Sequence, residues 1–84
     1  MRNPLQTREK QWTILELLRW TAAYFKSNAI EDPRASAEVL LAHVLTLQRI
    51  DLYVHYDQPL SRQELAAFKR LIKRRIKREP VAYI

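Results

Sequence analysis

Side chains able to do chemistry are few in this 84-residue chain, and they are scattered. The two histidines, His43 and His55, lie on different predicted elements with no cysteine near them, which is not a metal-ligand spacing. His43 falls just off an apolar helical face and reads as an edge-of-core imidazole held by a hydrogen bond. His55 sits beside Tyr53, Tyr56 and Asp57, a cluster that fits either a binding corner or the polar end of a short helix. Glu16, Glu38 and Glu64 read as first-turn carboxylates, which the positive end of a helix dipole favours. Glycine is absent, so no Gly-rich phosphate loop exists. No residue is therefore assigned a catalytic, cofactor-binding or metal-binding role. A standalone enzyme is the least supported class, because no acid–base or nucleophile pair is present.

The sharpest surface feature is cationic. Lys69, Arg70, Lys73, Arg74, Arg75, Lys77 and Arg78 fill most of one stretch around a few apolar positions. Such a face can track a phosphate backbone or dock an acidic protein surface, or it can simply keep a small domain soluble. No aromatic residue is interleaved with it, which argues against stacking on single-stranded nucleic acid. A helix-turn-helix reading lacks a short turn followed by a polar recognition helix. The candidate partner-binding residues are thus Lys69, Arg70, Lys73, Arg74 and Lys77, together with the corner Arg49, Tyr53 and His55.

These residues need elements to position them, and the pattern is helical throughout. Ala37, Leu40, Leu41, Val44 and Leu45 recur at helical spacing, and no other stretch is as apolar without a breaker. This predicts the central helix, opened by Asp32 as cap and Pro33 in the first turn, and running to about Thr46. Thr13 and Glu16 form a capping box for an earlier helix, with Trp12 and Leu17 as its hydrophobic staple. Ile14, Leu18, Thr21, Ala22 and Phe25 share its inner face, and Asn28 is placed to end it in a left-handed conformation. Gln48 to His55 predicts a short third helix with Leu47, Ile50 and Val54 facing inward. Tyr56-Asp57-Gln58-Pro59 reads as a turn. Ser61 and Glu64 form a second capping box, with Leu60 and Leu65 as staple. The helix it opens runs to about Arg78, with Leu65, Phe68, Ile72 and Ile76 buried.

The expected fold is all-α, a small bundle of four to five helices. Residues 1–12 are expected to be a loose tail, with a helical turn near Thr7 to Gln11, and 13–78 the helical domain. Residues 79–84 read as the start of a linker, since the apolar, β-prone Val81-Ala82-Tyr83-Ile84 follows Pro80 with no strand to pair with. That ending predicts a longer protein whose next part begins with a strand. A chain of this size buries roughly 60–65% of its unfolded surface, so the core is small. Cysteine is absent and no secretory signal pattern opens the chain, which permits a cytoplasmic location. No apolar run is long enough to span a membrane. The net charge of +6 points to an anionic partner or to a well-solvated basic surface. A monomer is the default for a small domain with this much surface charge.

Several separate blocks resemble one family. They are Pro33-Arg34-Ala35-Ser36-Ala37-Glu38-Val39-Leu40-Leu41-Ala42-His43-Val44-Leu45, then Arg49, Leu52-Tyr53, Pro59-Leu60-Ser61, Arg75, and Glu79-Pro80-Val81-Ala82-Tyr83-Ile84. Their types and spacing are similar to the N-terminal domain of HemK-type (PrmC) release-factor glutamine methyltransferases, from Thr13 onward. Two departures are local. Ser36 stands where the family usually has an aspartate, and Thr46 where a glycine often ends the helix.

The resemblance implies a parent enzyme that moves a methyl group from S-adenosylmethionine to a side-chain amide. The acceptor is the glutamine of the Gly-Gly-Gln motif in class-I peptide-chain release factors. The family's Asn-Pro-Pro-Tyr motif and Gly-rich cofactor loop lie in a C-terminal catalytic domain, and neither occurs here. By resemblance, this stretch is a release-factor-recognition domain, inactive alone, with release factors and its own catalytic domain as partners. From the residues alone, a basic helical nucleic-acid-binding module and a purely structural cap remain as alternatives.

Overall fold

The computed structural model describes residues 11–78. They form an all-α bundle of four helices: α1 (Ile14–Ser27), α2 (Pro33–Leu45), α3 (Arg49–Val54) and α4 (Arg62–Ile76). The helical turn expected near Thr7 to Gln11 and the linker expected over 79–84 fall, wholly or nearly so, outside the described residues.

Helix α2 is the central element, packing against α1, α3 and α4. Ala37, Leu40 and Leu41 on its inner face meet Ile14, Leu17, Leu18 and Phe25 of α1, Leu52 of α3, and Phe68 and Ile72 of α4 in one core. Leu60 and Ile30 close that core from the connecting segments.

The N-terminus of α1 is fully capped. Thr13 and Glu16 make the reciprocal box, with Thr13 N–H to Glu16 Oε1 at 3.1 Å and Glu16 N–H to Thr13 Oγ1 at 3.3 Å. The two remaining free donors of the first turn go to the segment before α4: Ile14 N–H to Gln58 O at 3.0 Å and Leu15 N–H to Tyr56 O at 2.9 Å. This segment also pairs Leu60 N–H with Trp12 O and makes a single antiparallel bridge between Thr13 and Pro59. A turn distant in sequence thus satisfies donors that a helix cannot satisfy itself. The Ser61–Glu64 box at the start of α4 forms as expected, at 2.8 and 3.1 Å.

Both interior helix ends use left-handed residues, but not always the expected ones. Asn28 is not left-handed, at φ −102°; Ala29 is, at φ 57°. Ile30 N–H bonds Phe25 O and Ala29 N–H bonds Lys26 O, a Schellman end whose closing apolar contact is between buried Ile30 and Phe25. Asn28 instead donates its side-chain amide to Tyr24 O at 2.9 Å. Thr46 ends α2 in the left-handed region, at φ 57° and ψ 44°, with Leu47 N–H returning to Ala42 O. Asp32 does not cap α2 with its side chain. It is itself left-handed, at φ 48°, and its carbonyl accepts Ser36 N–H while Pro33 takes the first helical position.

Helix α3 is rotated relative to expectation. Ile50 and Val54 face solvent, 71% and 65% exposed, and Leu52 is the buried residue. Leu47 alone of the predicted trio packs against the core. The side that α3 presents to α2 carries Arg49, Leu52 and Tyr53, at helical spacing, and the reason lies in a buried carboxylate of α2.

Candidate partner-binding surface

Glu38 is that carboxylate. It lies beyond the first turn of α2, and its residue is only 8% exposed, so a first-turn dipole role does not describe it. Three side chains converge there. Arg49 from α3 places Nη2 2.6 Å and Nε 3.2 Å from Oε1. Arg34, one turn earlier on α2, places Nε 3.4 Å from Oε2. The Tyr53 hydroxyl donates to Oε2 and accepts from Arg34 Nε and Nη2 at 3.2 and 3.1 Å. The Arg34 guanidinium also lies 5.6 Å from the centre of the Tyr53 ring, a cation–π distance.

Burial by itself would raise the Glu38 pKa. The hydrogen bond from Tyr53, the hydrogen bond and charge of Arg49, and the hydrogen bond from Arg34 outweigh it, and the carboxyl is held below its ordinary range. The group thus stays ionised and locks α3 onto α2.

Arg49 and Tyr53, predicted as parts of a binding corner, are therefore brought together. His55 is not part of the cluster; it is exposed just after α3, its backbone N–H bonded to Asp51 O. His43 is exposed too, rather than at the edge of the core. Glu38 and Arg34 are the members that sequence reasoning missed. Their i, i+4 spacing marks them as a pair, but nothing local shows that two residues of another helix complete it.

The second patch lies on α4. Phe68 and Ile72 are buried, with Leu65, Leu71 and Ile76 packed beside them. That leaves Arg70, Lys73 and Lys77 fully outward at i, i+3 and i+7, while Lys69 and Arg74 are half-buried. Among the described residues, no carboxylate forms an ion pair with Arg70, Lys73 or Lys77. A shallow groove lined by Glu31, Asp32, Ala35, Ser36, Val39 and Arg75 runs between the start of α2 and α4. It is open to solvent.

Among the described residues no group of three or more His, Asp or Glu side chains is placed to hold a metal, and no helix is long and apolar enough to cross a membrane. Fold and surface together define a small all-α domain that offers charge and apolar area. The chain belongs to the PrmC N-terminal domain family, which matches residues 16–84. It is 47% identical over 76 residues to a release factor glutamine methyltransferase of Chlorobaculum tepidum, covering 90% of this chain and 26% of that relative. It is likewise 47% identical over 73 residues to the enzyme of the same description from Geobacter sulfurreducens, covering 87% and 26%. A bifunctional methyltransferase of Rickettsia conorii is 31% identical over 74 residues, covering 88% and 14%. The chain thus spans about a quarter of the length of the first two relatives. No solved structure matches it.

Proposed function

We propose that this chain is the release-factor-recognition domain of an S-adenosylmethionine-dependent protein methyltransferase. The enzyme's acceptor is the glutamine of the Gly-Gly-Gln motif in class-I peptide-chain release factors. The observation that carries this reading is the 47% identity, over 90% of the chain, to a release factor glutamine methyltransferase. The cofactor and the transfer chemistry belong to the rest of the polypeptide on this reading, and the helical domain itself is inactive.

The physical argument concerns grip. A side-chain amide in a glycine-rich loop offers little surface to bind. A second domain holding a distant face of the substrate supplies affinity and orientation that the reacting end cannot. The α4 stripe of Arg70, Lys73 and Lys77, with Lys69 and Arg74 at its margin, suits an acidic face of the release factor. Among the described residues no carboxylate pairs with Arg70, Lys73 or Lys77, so their field reaches solvent and steers encounter.

The test titrates the labelled chain with a class-I release factor and, separately, with a non-specific RNA duplex, each at two salt concentrations. Saturable release-factor binding that survives moderate salt is the expected result. RNA binding alone, lost as salt rises, would transfer the domain to the nucleic-acid class. Binding to neither would overturn recognition and leave a structural cap.

A further inference from the structure

We infer that the outward face of α3, formed by Ile50 and Val54 and flanked by the half-exposed ring of Tyr53, is the seat on which the rest of the same polypeptide packs. The inference rests on the reading of this chain as one part of a longer methyltransferase. Ile50 and Val54 are the most exposed large apolar side chains described, at 71% and 65%, with Tyr53 between them at 45% and Tyr56 just beyond at 51%. Ile50 and Val54 are turned outward because Arg49, Leu52 and Tyr53 face α2. An apolar stripe of this kind on a short helix is a surface left for something else to cover.

Three observations say what covers it. The first is charge. The two arginines beside this face, Arg34 and Arg49, are both satisfied by Glu38, and the Asp51 carboxylate accepts the Gln48 N–H. The face is thus apolar with these flanking charges held in local hydrogen bonds, which suits a permanent contact. The α4 stripe is the reverse: Arg70, Lys73 and Lys77 are exposed, and no carboxylate among the described residues pairs with them, the kind of surface a transient, salt-sensitive partner uses. The second is length. This chain accounts for 26% of the relatives it matches at 47% identity, so about three quarters of such a polypeptide lies outside it.

The third is position. Arg78 donates Nη1 to Ala29 O at 3.1 Å and Nη2 to Asn28 O at 2.9 Å, pinning the end of α4 to the corner between α1 and α2. That corner leads directly into Pro33 and Arg34, and Arg34 holds Tyr53 of α3. Arg78 and the Tyr53 hydroxyl, beside the apolar face of α3, are therefore both anchored toward the N-terminal end of α2. Contacts between domains of one chain are typically modest in area, and a face of a few large apolar side chains can seed one.

The experiment uses methyl-labelled isoleucine and valine in the full polypeptide and in the 84-residue chain, with a soluble gadolinium chelate as relaxation probe. In the short chain the Ile50 and Val54 methyls should relax fast and the buried Ile72 methyl slowly. In the full polypeptide without partner, relaxation at Ile50 and Val54 should fall severalfold, toward that of Ile72. Fast relaxation persisting in the full polypeptide would overturn the proposal. So would protection that appears only when a release factor is added, or protection already complete in the short chain. A full polypeptide that binds release factor yet leaves Ile50 exposed would sink this inference alone and leave the recognition reading standing.

Discussion

At Glu38, two opposing effects meet and one wins. Desolvation disfavours the charged carboxylate, but Tyr53, Arg49 and Arg34 together hold it ionised. Because the folded pKa lies below the unfolded one, the cluster stabilises the fold above the ordinary glutamate range, about pH 4.3, and that stability is lost as pH falls through the folded value. Both arginines are about half exposed, which screens the contribution. Glu38→Gln should therefore cost about 1–2 kcal/mol at neutral pH. Urea denaturation from pH 7 to pH 3 should show wild type and variant converging as acid protonates Glu38; a constant gap would refute the assignment. Thr46 stores a smaller strain. It is an exposed, β-branched residue held at φ 57°, where a Cβ is crowded. Thr46→Gly should raise stability by about 1 kcal/mol, or roughly 4–8 °C in melting temperature for a domain of this size. An unchanged or lower melting temperature would show that the turn carries no such strain.

At the scale of elements, the rotation of α3 is the instructive case. Its apolar positions Ile50 and Val54 predict one inner face, and Arg49, Leu52 and Tyr53 occupy the actual one. A six-residue helix buries little apolar area on either side, so a multidentate contact to a buried carboxylate outweighs two exposed aliphatics. Alanine substitutions separate the two patterns. Leu52→Ala should cost about 2–4 kcal/mol, whereas Ile50→Ala and Val54→Ala in the 84-residue chain should each stay within about 0.5 kcal/mol. Chemical denaturation reads all three, and a large loss at Ile50 would mean that the helix is turned the other way. The N-terminus of α1 makes a related point. Its capping box is local, but Ile14 and Leu15 rely on carbonyls of Gln58 and Tyr56, so α1 and the turn before α4 form as one unit.

The whole molecule divides its surface by charge. Ion pairs close the α2–α3 side on itself, and the α4 side projects cations outward. Reversing Arg70, Lys73 and Lys77 to glutamate should leave the fold's stability nearly unchanged, since all three are exposed. On the recognition reading, the same triple variant should weaken release-factor binding at least about tenfold at low salt, with the difference shrinking as salt screens it. A titration in which the triple variant matches wild type would remove the α4 stripe from the interface.

Much of this architecture is legible in the chain without coordinates, because local physics decides it. The two capping boxes, Pro33 at the start of α2 and the i, i+3, i+4 stripes of α1, α2 and α4 each depend on residues within one or two turns of each other. So does the cationic character of α4, since a helix that buries Phe68 and Ile72 must present Arg70, Lys73 and Lys77 elsewhere. Tertiary structure alone decided the rest. Glycine is absent, so the left-handed positions fell to Ala29, Asp32, Thr46 and Arg78, and Ala29 and Arg78 are residue types with no preference for that conformation. The Glu38 cluster joins side chains up to nineteen positions apart on two helices, and no periodicity encodes such a meeting. Once formed, it outweighs the weak apolar preference of α3, because burying an ionised carboxylate demands that its partners follow it inward.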